Sequence, residues 1–317
     1  MITLTKNNNH REELRSSVVN KLIELMSKDD KVVALEADLG GASGFTKIKK
    51  TNPDRFVQCG ISEANMVGVA AGLSMVGYKP FMHTFGAFAT RRAYDQIFLS
   101  GGYSYNDINI YGSDPGFTSG TNGGTHTTLE DIALMKSIPN AIVCDAADDV
   151  QMKWILEEFT KSRGVKYVRG NRKSVSAVYE EGSQFKMGKA NKLTDGKDVL
   201  IISCGQLCYD SLVAAKNLEA LGISCTVIDM FCIKPLDINA ILENAVDKKL
   251  IVTFENHSIV GGLGSSVAEV IAENSINVKF KRIGTNDHFG EVGSPDYLQD
   301  KYGLTSKHLE DVIKELL

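Results

Sequence analysis

Short β-rich runs alternate with longer helical patterns along almost the whole chain, and few folds accommodate that rhythm. In the first half the runs are 32–35, 56–58, 108–111, 141–144 and 165–168, each beside a helical stretch. Parallel strands need a crossover between them and a helix is the usual crossover, so the alternation predicts a parallel sheet covered on both faces. Polar stretches at 180–184 and 194–198 interrupt the series, and a second one follows at 199–202, 224–228, 250–254 and 278–280. It closes on an amphipathic helix over 306–317. The expected architecture is α/β with two doubly wound domains, residues 1–185 and a smaller one at 186–317. A chain of 317 residues has room for both, because compact domains run about 100–200 residues.

Composition narrows the partners. A formal net charge of −4 gives no broad basic footprint, which argues against nucleic acid or an anionic membrane. The first thirty residues hold no apolar core of signal-peptide length, and nothing later approaches ~18 uninterrupted apolar residues. A cytoplasmic location is therefore expected. Cys59, Cys144, Cys204, Cys208, Cys225 and Cys232 fall mostly in or beside strand-like runs, with no Cys-x-x-Cys pair. They read as reduced, buried hydrophobes rather than zinc ligands.

Three segments carry chemistry. Glu63 stands where a strand ends and a helix begins, in Gln58-Cys59-Gly60-Ile61-Ser62-Glu63, at the sheet edge where α/β proteins place ligands. Ser62 is placed to cap that helix, and its small apolar residues through position 76 predict burial. An acid in the first turn of a buried helix either serves the positive helix end, worth ~0.3–1 kcal/mol, or has a task of its own. Residues 80–96 carry Phe85, Phe88, Arg91 and Arg92 where a strand passes into a helix; taken alone, the two rings read as core. His126 follows a glycine pair, and Thr127 with Glu130 reads as a capping box that sets the imidazole at a helix's anion-binding end. Gly261-Gly262-Leu263-Gly264-Ser265-Ser266 lacks the spacing of a dinucleotide fingerprint and reads as a structural turn, capped by Ser266 with Glu269.

In order along the chain, Asp38-Leu39-Gly40-Gly41, Gly60-Ile61-Ser62-Glu63, the run 85–96, Gly123-Gly124-Thr125-His126 and Ser137-Ile138-Pro139-Asn140 resemble the pyrimidine-binding domain of transketolases. Phe254-Glu255-Asn256-His257 and the glycine turn after it are similar to the transketolase C-terminal domain. The resemblance implies a thiamine diphosphate-dependent glycolaldehyde transferase that moves a two-carbon ketol unit from a ketose (phosphate) to an aldose (phosphate). In that family a carboxylate, here Glu63, hydrogen-bonds N1′ of the aminopyrimidine and favours the imino tautomer whose 4′ nitrogen removes the thiazolium proton. Burial is expected to raise that carboxyl's pKa against the pull of the helix end. By the same resemblance Phe88 stacks on the aminopyrimidine with Phe85 beside it. Asp38 lies near the cofactor and the dimer contact, or else caps the first turn. His126 contacts a substrate hydroxyl or moves a proton. Arg169, with Arg15 as a second, holds the substrate's terminal phosphate through the guanidinium fork, salt bridging being the alternative for Arg169.

Several positions depart from the family pattern. Asn122 stands where an Asp helps select sugar stereochemistry, and Asp114 where a His meets substrate phosphate; a negative Asp114 is expected to repel one. Arg91 stands where many relatives have Tyr. The expected substrate is accordingly a sugar phosphate or a related small anionic sugar. Gly-Asp-Gly, which opens the family's metal-binding motif, does not occur. Mg²⁺ or Ca²⁺ and the diphosphate are therefore expected on a separate N-terminal subunit, in an α₂β₂ heterotetramer. Two other readings fit a chain of this make-up: the beta subunit of a 2-oxo-acid dehydrogenase's decarboxylating component, and a non-catalytic regulatory half that keeps the fold.

Overall fold

The computed structural model describes residues 2–7 and 11–317. Among the described residues the strands are β1 (Val32–Glu36), β2 (Phe56–Gln58), β3 (Lys79–Phe85), β4 (Ile108–Ser113), β5 (Ile142–Asp145), β6 (Val165–Gly170), β7 (Asn191–Thr194), β8 (Val199–Ser203), β9 (Cys225–Asp229), β10 (Cys232–Lys234), β11 (Leu250–Ser258) and β12 (Lys279–Thr285). They form a seven-stranded sheet in the order β10-β5-β6-β4-β3-β1-β2 and a five-stranded sheet in the order β12-β11-β8-β9-β7. Both sheets are parallel apart from one edge each, where β10 runs antiparallel to β5 and β7 antiparallel to β9.

β1 reads Val-Val-Ala-Leu-Glu with every residue buried, the unbroken apolar run that a parallel strand covered on both faces needs. Val33 and Leu35 pack with Met66, Val67 and Ala70 of the helix Glu63–Met75, in a cluster that continues into Leu200, Ile202 and Leu263 of the second domain. Val32 and Ala34 pack on the other face with Val18 and Leu22 of the helix Leu14–Lys28 and with Phe159 of the helix Asp149–Phe159. Each fully buried Val, Leu or Phe contributes ~1.5–3 kcal/mol, so the two domains stabilise each other through a shared core.

Three local expectations need correction. Asn191 to Thr194, between the two polar stretches where the sequence shows no strand-like run, forms β7, burying Asn191 and Leu193 and exposing Lys192. β10 leaves the second domain to complete the edge of the first sheet, pairing Cys232 with Cys144. The helix that starts at Glu63 is buried on one side only: Asn65, Gly68, Gly72 and Met75 are exposed, because no element among the described residues covers that side. All six cysteines are free and only Cys59 is not fully buried. No helix among the described residues is long and apolar enough to cross a membrane.

The chain runs from β1 outward to β2, then crosses back to β3 on the far side of β1. Strand order therefore reverses between β1 and β3. Loops diverge at the carboxyl ends of two such strands and leave a crevice between them.

Candidate active site

Two loops at the end of β1 and β2 are locked to each other. Glu36, fully buried, accepts hydrogen bonds from the Leu39 amide at 2.5 Å and from Gln58 Nε2 at 3.0 Å. Gln58 Oε1 accepts in turn from the amides of Asp38 and Gly60. Burial raises the Glu36 carboxyl above its ordinary range. This exchange holds Asp38 exposed in a left-handed conformation with φ 60°. Asp38 does not cap: the helix Gly40–Ser43 has Leu39 at its N-cap and no side-chain cap.

Glu63 opens its helix at 2% exposure. Ser62 occupies the N-cap, but its hydroxyl makes no capping bond. Glu63 is not the lone buried carboxyl anticipated from sequence, because its Oε1 accepts from Arg92 Nη1 at 2.7 Å. The same guanidinium lies over Phe88, 3.9 Å from the ring centroid. Arg92 therefore fills the gap between a buried carboxylate and the face of a half-buried aromatic ring. Its sequence signal is modest: it follows Phe88 by four residues, the spacing at which helical side chains meet.

Phe85, Phe88 and His126 close into a ring cluster. Centroids are 5.9 Å apart for Phe85 and Phe88, 5.8 Å for Phe85 and His126, and 5.1 Å for Phe88 and His126, the imidazole meeting both phenyl rings edge-on. His126 Nδ1 lies 2.9 Å from Thr125 Oγ1, which leaves Nε2 for another partner. The capping box expected after it does not form. Thr127 Oγ1 donates back to the Gly123 carbonyl at 2.9 Å, and the next helix starts only at Asp131 with Glu130 at its N-cap. His126 consequently sits in a loop rather than at a helix end. Beside that loop a cleft of ≈ 580 Å³ is lined by Arg91, Thr127, Leu129, Glu130, His288 and Phe289. Arg91 Nε pairs with Glu130 Oε1 at 3.0 Å across it.

Phe85 has its own arginine. The Arg172 guanidinium stands 4.8 Å from that ring's centroid, and its Nε pairs with Asp114 Oδ2. Asp114 is 2% exposed and has φ 56°. Burial pushes its carboxyl up to about 6, against the pull of Arg172 and Arg15. The expected repulsion of a phosphate by Asp114 is thus corrected: its charge is taken up by Arg172.

The other candidates lie apart. Arg169 is fully buried at the end of β6, where Nε pairs with Asp131 Oδ2 at 3.1 Å, Nη1 faces Asp145 at 3.9 Å and Nη2 donates to the Asn256 carbonyl at 2.8 Å. At full burial no edge of the guanidinium opens to solvent for a substrate phosphate, and the pairing is internal rather than on the surface. Arg15 is half-buried, bonding Glu13 at 2.6 Å and the Ala42 carbonyl at 3.1 Å. Asn122 is exposed at the end of a short 3-10 helix, Gly116–Asn122. In the second domain Ser266 does not cap the helix Leu263–Glu273; its hydroxyl bonds the Gly262 carbonyl. Glu255 closes that helix instead, accepting from the Leu263 and Gly264 amides at 2.7 Å each, while burial raises its carboxyl to about 7.

The crevice offers a buried carboxylate, an aromatic wall, an imidazole with one nitrogen free and two guanidinium groups. Such a set suits a flat nitrogen heterocycle and a small anion. No group of three or more His, Cys, Asp or Glu side chains among the described residues could hold a metal ion.

Comparison with known proteins points the same way. The family described as transketolase, pyrimidine binding domain matches residues 13–177, and that described as transketolase, C-terminal domain matches residues 188–309. The chain is 41% identical to the 6-deoxy-6-sulfo-D-fructose transketolase subunit SqwH of Clostridium sp. (strain MSTE9), over 93% of this chain and 92% of that one. It is 35% identical to one of the subunits of the apulose-4-phosphate transketolase of Phocaeicola vulgatus, over 92% and 93%. A solved structure described as a split gene transketolase, inactive beta4 tetramer, superposes with a TM-score of 0.89 at 37% identity, covering 97% of this chain and 99% of that one.

Proposed function

The chain belongs to the transketolase family, and from that membership we propose that it is the C-terminal subunit of an enzyme transferring a two-carbon ketol unit from a ketose to an aldose. The observation that carries the reading is the bridge from Glu63 through Arg92 to Phe88. A planar group already lies between carboxylate and ring, so the space suits a flat aminopyrimidine, whose N1′ shares a proton with the Glu63 carboxyl. Thiamine diphosphate, the family's cofactor, supplies when bound a nucleophilic thiazolium carbon that carries the ketol unit.

The chain's own residues then have distinct tasks. Glu63 holds a proton at the ring nitrogen N1′, in a position shielded from water. Phe88 and Phe85 orient the heterocycle by stacking. His126 exchanges a proton with, or donates to, a sugar hydroxyl through Nε2. Mg²⁺ or Ca²⁺ and the diphosphate are assigned to an N-terminal partner carrying Gly-Asp-Gly…Asn, in an α₂β₂ assembly. The uncovered side of the helix Glu63–Met75, next to the exposed Ile61, is where another protomer would contact this one.

Co-purification with that partner, followed by assay of ketol transfer against 2-oxo-acid decarboxylation, tests the reading. Decarboxylation without transfer, or neither activity, sinks it. The transketolase matches over both domains favour transfer over the dehydrogenase reading and over a silent regulatory half.

Cofactor binding separates the roles of Phe88 and Arg92. Phe88→Ala removes the stacking face and is expected to weaken thiamine diphosphate binding by about 5–100-fold, since stacking on an aromatic ring is worth ~1–3 kcal/mol. Arg92→Ala is expected to act in the opposite direction, tightening it by about 3–10-fold, because the bond from the solvent-exposed Arg92 to the buried Glu63, worth ~1 kcal/mol, no longer has to be exchanged. Calorimetric titration of both variants measures the two signs. Weaker binding by Arg92→Ala would make Arg92 a ligand of the cofactor instead.

A further inference from the structure

We propose that Arg91 is a positioning residue of the transfer reaction, clamping the loop that bears His126 to the turn that bears Phe88; the inference rests on the ketol-transfer reading above. The helix Gly86–Thr90 runs directly into the 3-10 turn Arg91–Ala93, so about one turn of backbone carries the ring and two guanidinium groups. The two arginines part from there. Arg92 reaches Glu63, and Arg91 reaches the loop that follows Gly123.

The grip on that loop falls on both sides of His126. Arg91 Nη2 donates to the Thr127 carbonyl at 3.2 Å and lies 3.5 Å from the Thr125 carbonyl. Among the described residues no other donor meets either oxygen. The loop's backbone links to other elements come later, where the Thr128 carbonyl accepts from the Gly116 amide and the Leu129 carbonyl from the Ser258 amide, at 2.8 Å each. The guanidinium is itself anchored: Nε pairs with Glu130 Oε1 at 3.0 Å, while Glu130 Oε2 accepts from the Leu129 amide at 2.8 Å. Glu130 is also the N-cap residue of the helix Asp131–Lys136, so the anchor belongs to a fixed element. A rigid planar fork whose nitrogens meet a carboxylate and the loop carbonyls together restricts where the loop can lie.

Placement is what this part of the site depends on. The imidazole meets Phe88 edge-on with centroids 5.1 Å apart, so a shift of the loop moves Nε2 relative to any heterocycle stacked on that ring. A misplacement of about 1 Å can cost ~10²-fold in rate. Stability depends on the clamp far less: the side chains of Arg91 and Glu130 are 40% and 36% exposed, and exposed ion pairs add little. Arg91 thus acts through His126 rather than on the substrate.

Hydrogen–deuterium exchange of the full chain and steady-state transfer by the co-assembled enzyme test the clamp together. In Arg91→Met, which keeps the apolar stem and removes the fork, the amides of residues 124–129 are expected to exchange about 3–10-fold faster, as for the loss of one exposed ion pair. Turnover should fall on the order of 10–100-fold in kcat, with Tm and the Kd of thiamine diphosphate unchanged. Arg91→Lys retains a charged donor and should recover part of the kcat. Adding Glu130→Gln to Arg91→Met should cost little more, since both remove the same clamp. Unchanged exchange, or unchanged kcat, overturns the proposal and leaves ketol transfer intact. A loss of cofactor affinity as large as the loss of kcat also overturns it, by placing Arg91 in the cofactor site. Faster exchange in the variant, with no transfer by the wild type, would instead remove the functional reading and keep the clamp.

Discussion

Glu63→Gln is expected to lower ketol transfer by the assembled enzyme on the order of 10²–10⁴-fold, the usual weight of a proton held in place by a positioned acid or base. The amide has the size of the carboxyl and its Oε1 can still accept from Arg92 Nη1, the 2.7 Å bond of the parent chain. The helix Glu63–Met75 begins with a buried residue in either case, so Tm and subunit assembly should stay near the wild-type values. Cofactor binding should fall far less than turnover, because stacking on Phe88 is untouched. The measurement is steady-state transfer at saturating cofactor, beside a Tm for each protein. Turnover within a few-fold of wild type would dismiss Glu63 from proton handling, and a collapse of Tm would make it a structural acid paired with Arg92.

Much of the frame could be read from sequence, because it rests on local periodicity. β1 is an unbroken apolar run, and the helix that follows β2 announces itself by Met66, Val67, Ala70 and Ala71 on one side. Glu63, Phe85, Phe88 and His126 were legible as candidates since each falls just beyond a strand or a glycine pair, and the fold brings all four to one crevice. Their charged partners were not. Glu63 meets Arg92 across 29 residues and Asp114 meets the Arg172 amide across 58, separations at which no periodicity signals contact. Local capping rules failed for a related reason. Thr127 found the Gly123 carbonyl first, and the amides near Ser266 were already taken by Glu255 from a neighbouring strand. Arg169 was misplaced because the end of a strand predicts the sheet edge, not whether a second domain closes over it. β11 supplies that cover through Asn256, whose side chain also bonds the Phe117 amide and the Pro115 carbonyl just after Asp114. The same residue thus ties the domain contact to the loop that follows Asp114.

Arg169→Met is the sharpest test of that assignment, and its expected effect is on stability. Removing one partner of a buried ion pair typically costs about 3–5 kcal/mol, a large share of a folded protein's ~5–15 kcal/mol, and should lower Tm by roughly 6–15 °C. Asp131, at full burial, would keep the Tyr167 hydroxyl at 2.7 Å and a distant His257 in place of a guanidinium. The loss should depend on pH, with a definite sign. Burial already raises Asp145 to about 6 from an ordinary 3.8, against the opposing field of Arg169. Without that field its folded pKa moves higher still. A carboxyl whose folded pKa exceeds its unfolded value destabilises the fold as pH rises from the unfolded value to the folded one, since over that span the folded state binds the extra proton. The deficit of Arg169→Met relative to wild type should therefore be smallest near pH 4 and widen from about 6 upward, by at most ~1.4 kcal/mol per pH unit for that one group. Thermal unfolding from pH 4 to 8 measures it. A substrate-binding arginine behaves differently: its loss leaves Tm unchanged at every pH and raises KM for the phosphorylated donor alone. That pattern would return the terminal anion to Arg169, whereas a pH-dependent fall in Tm makes Arg169 the bolt between the domains.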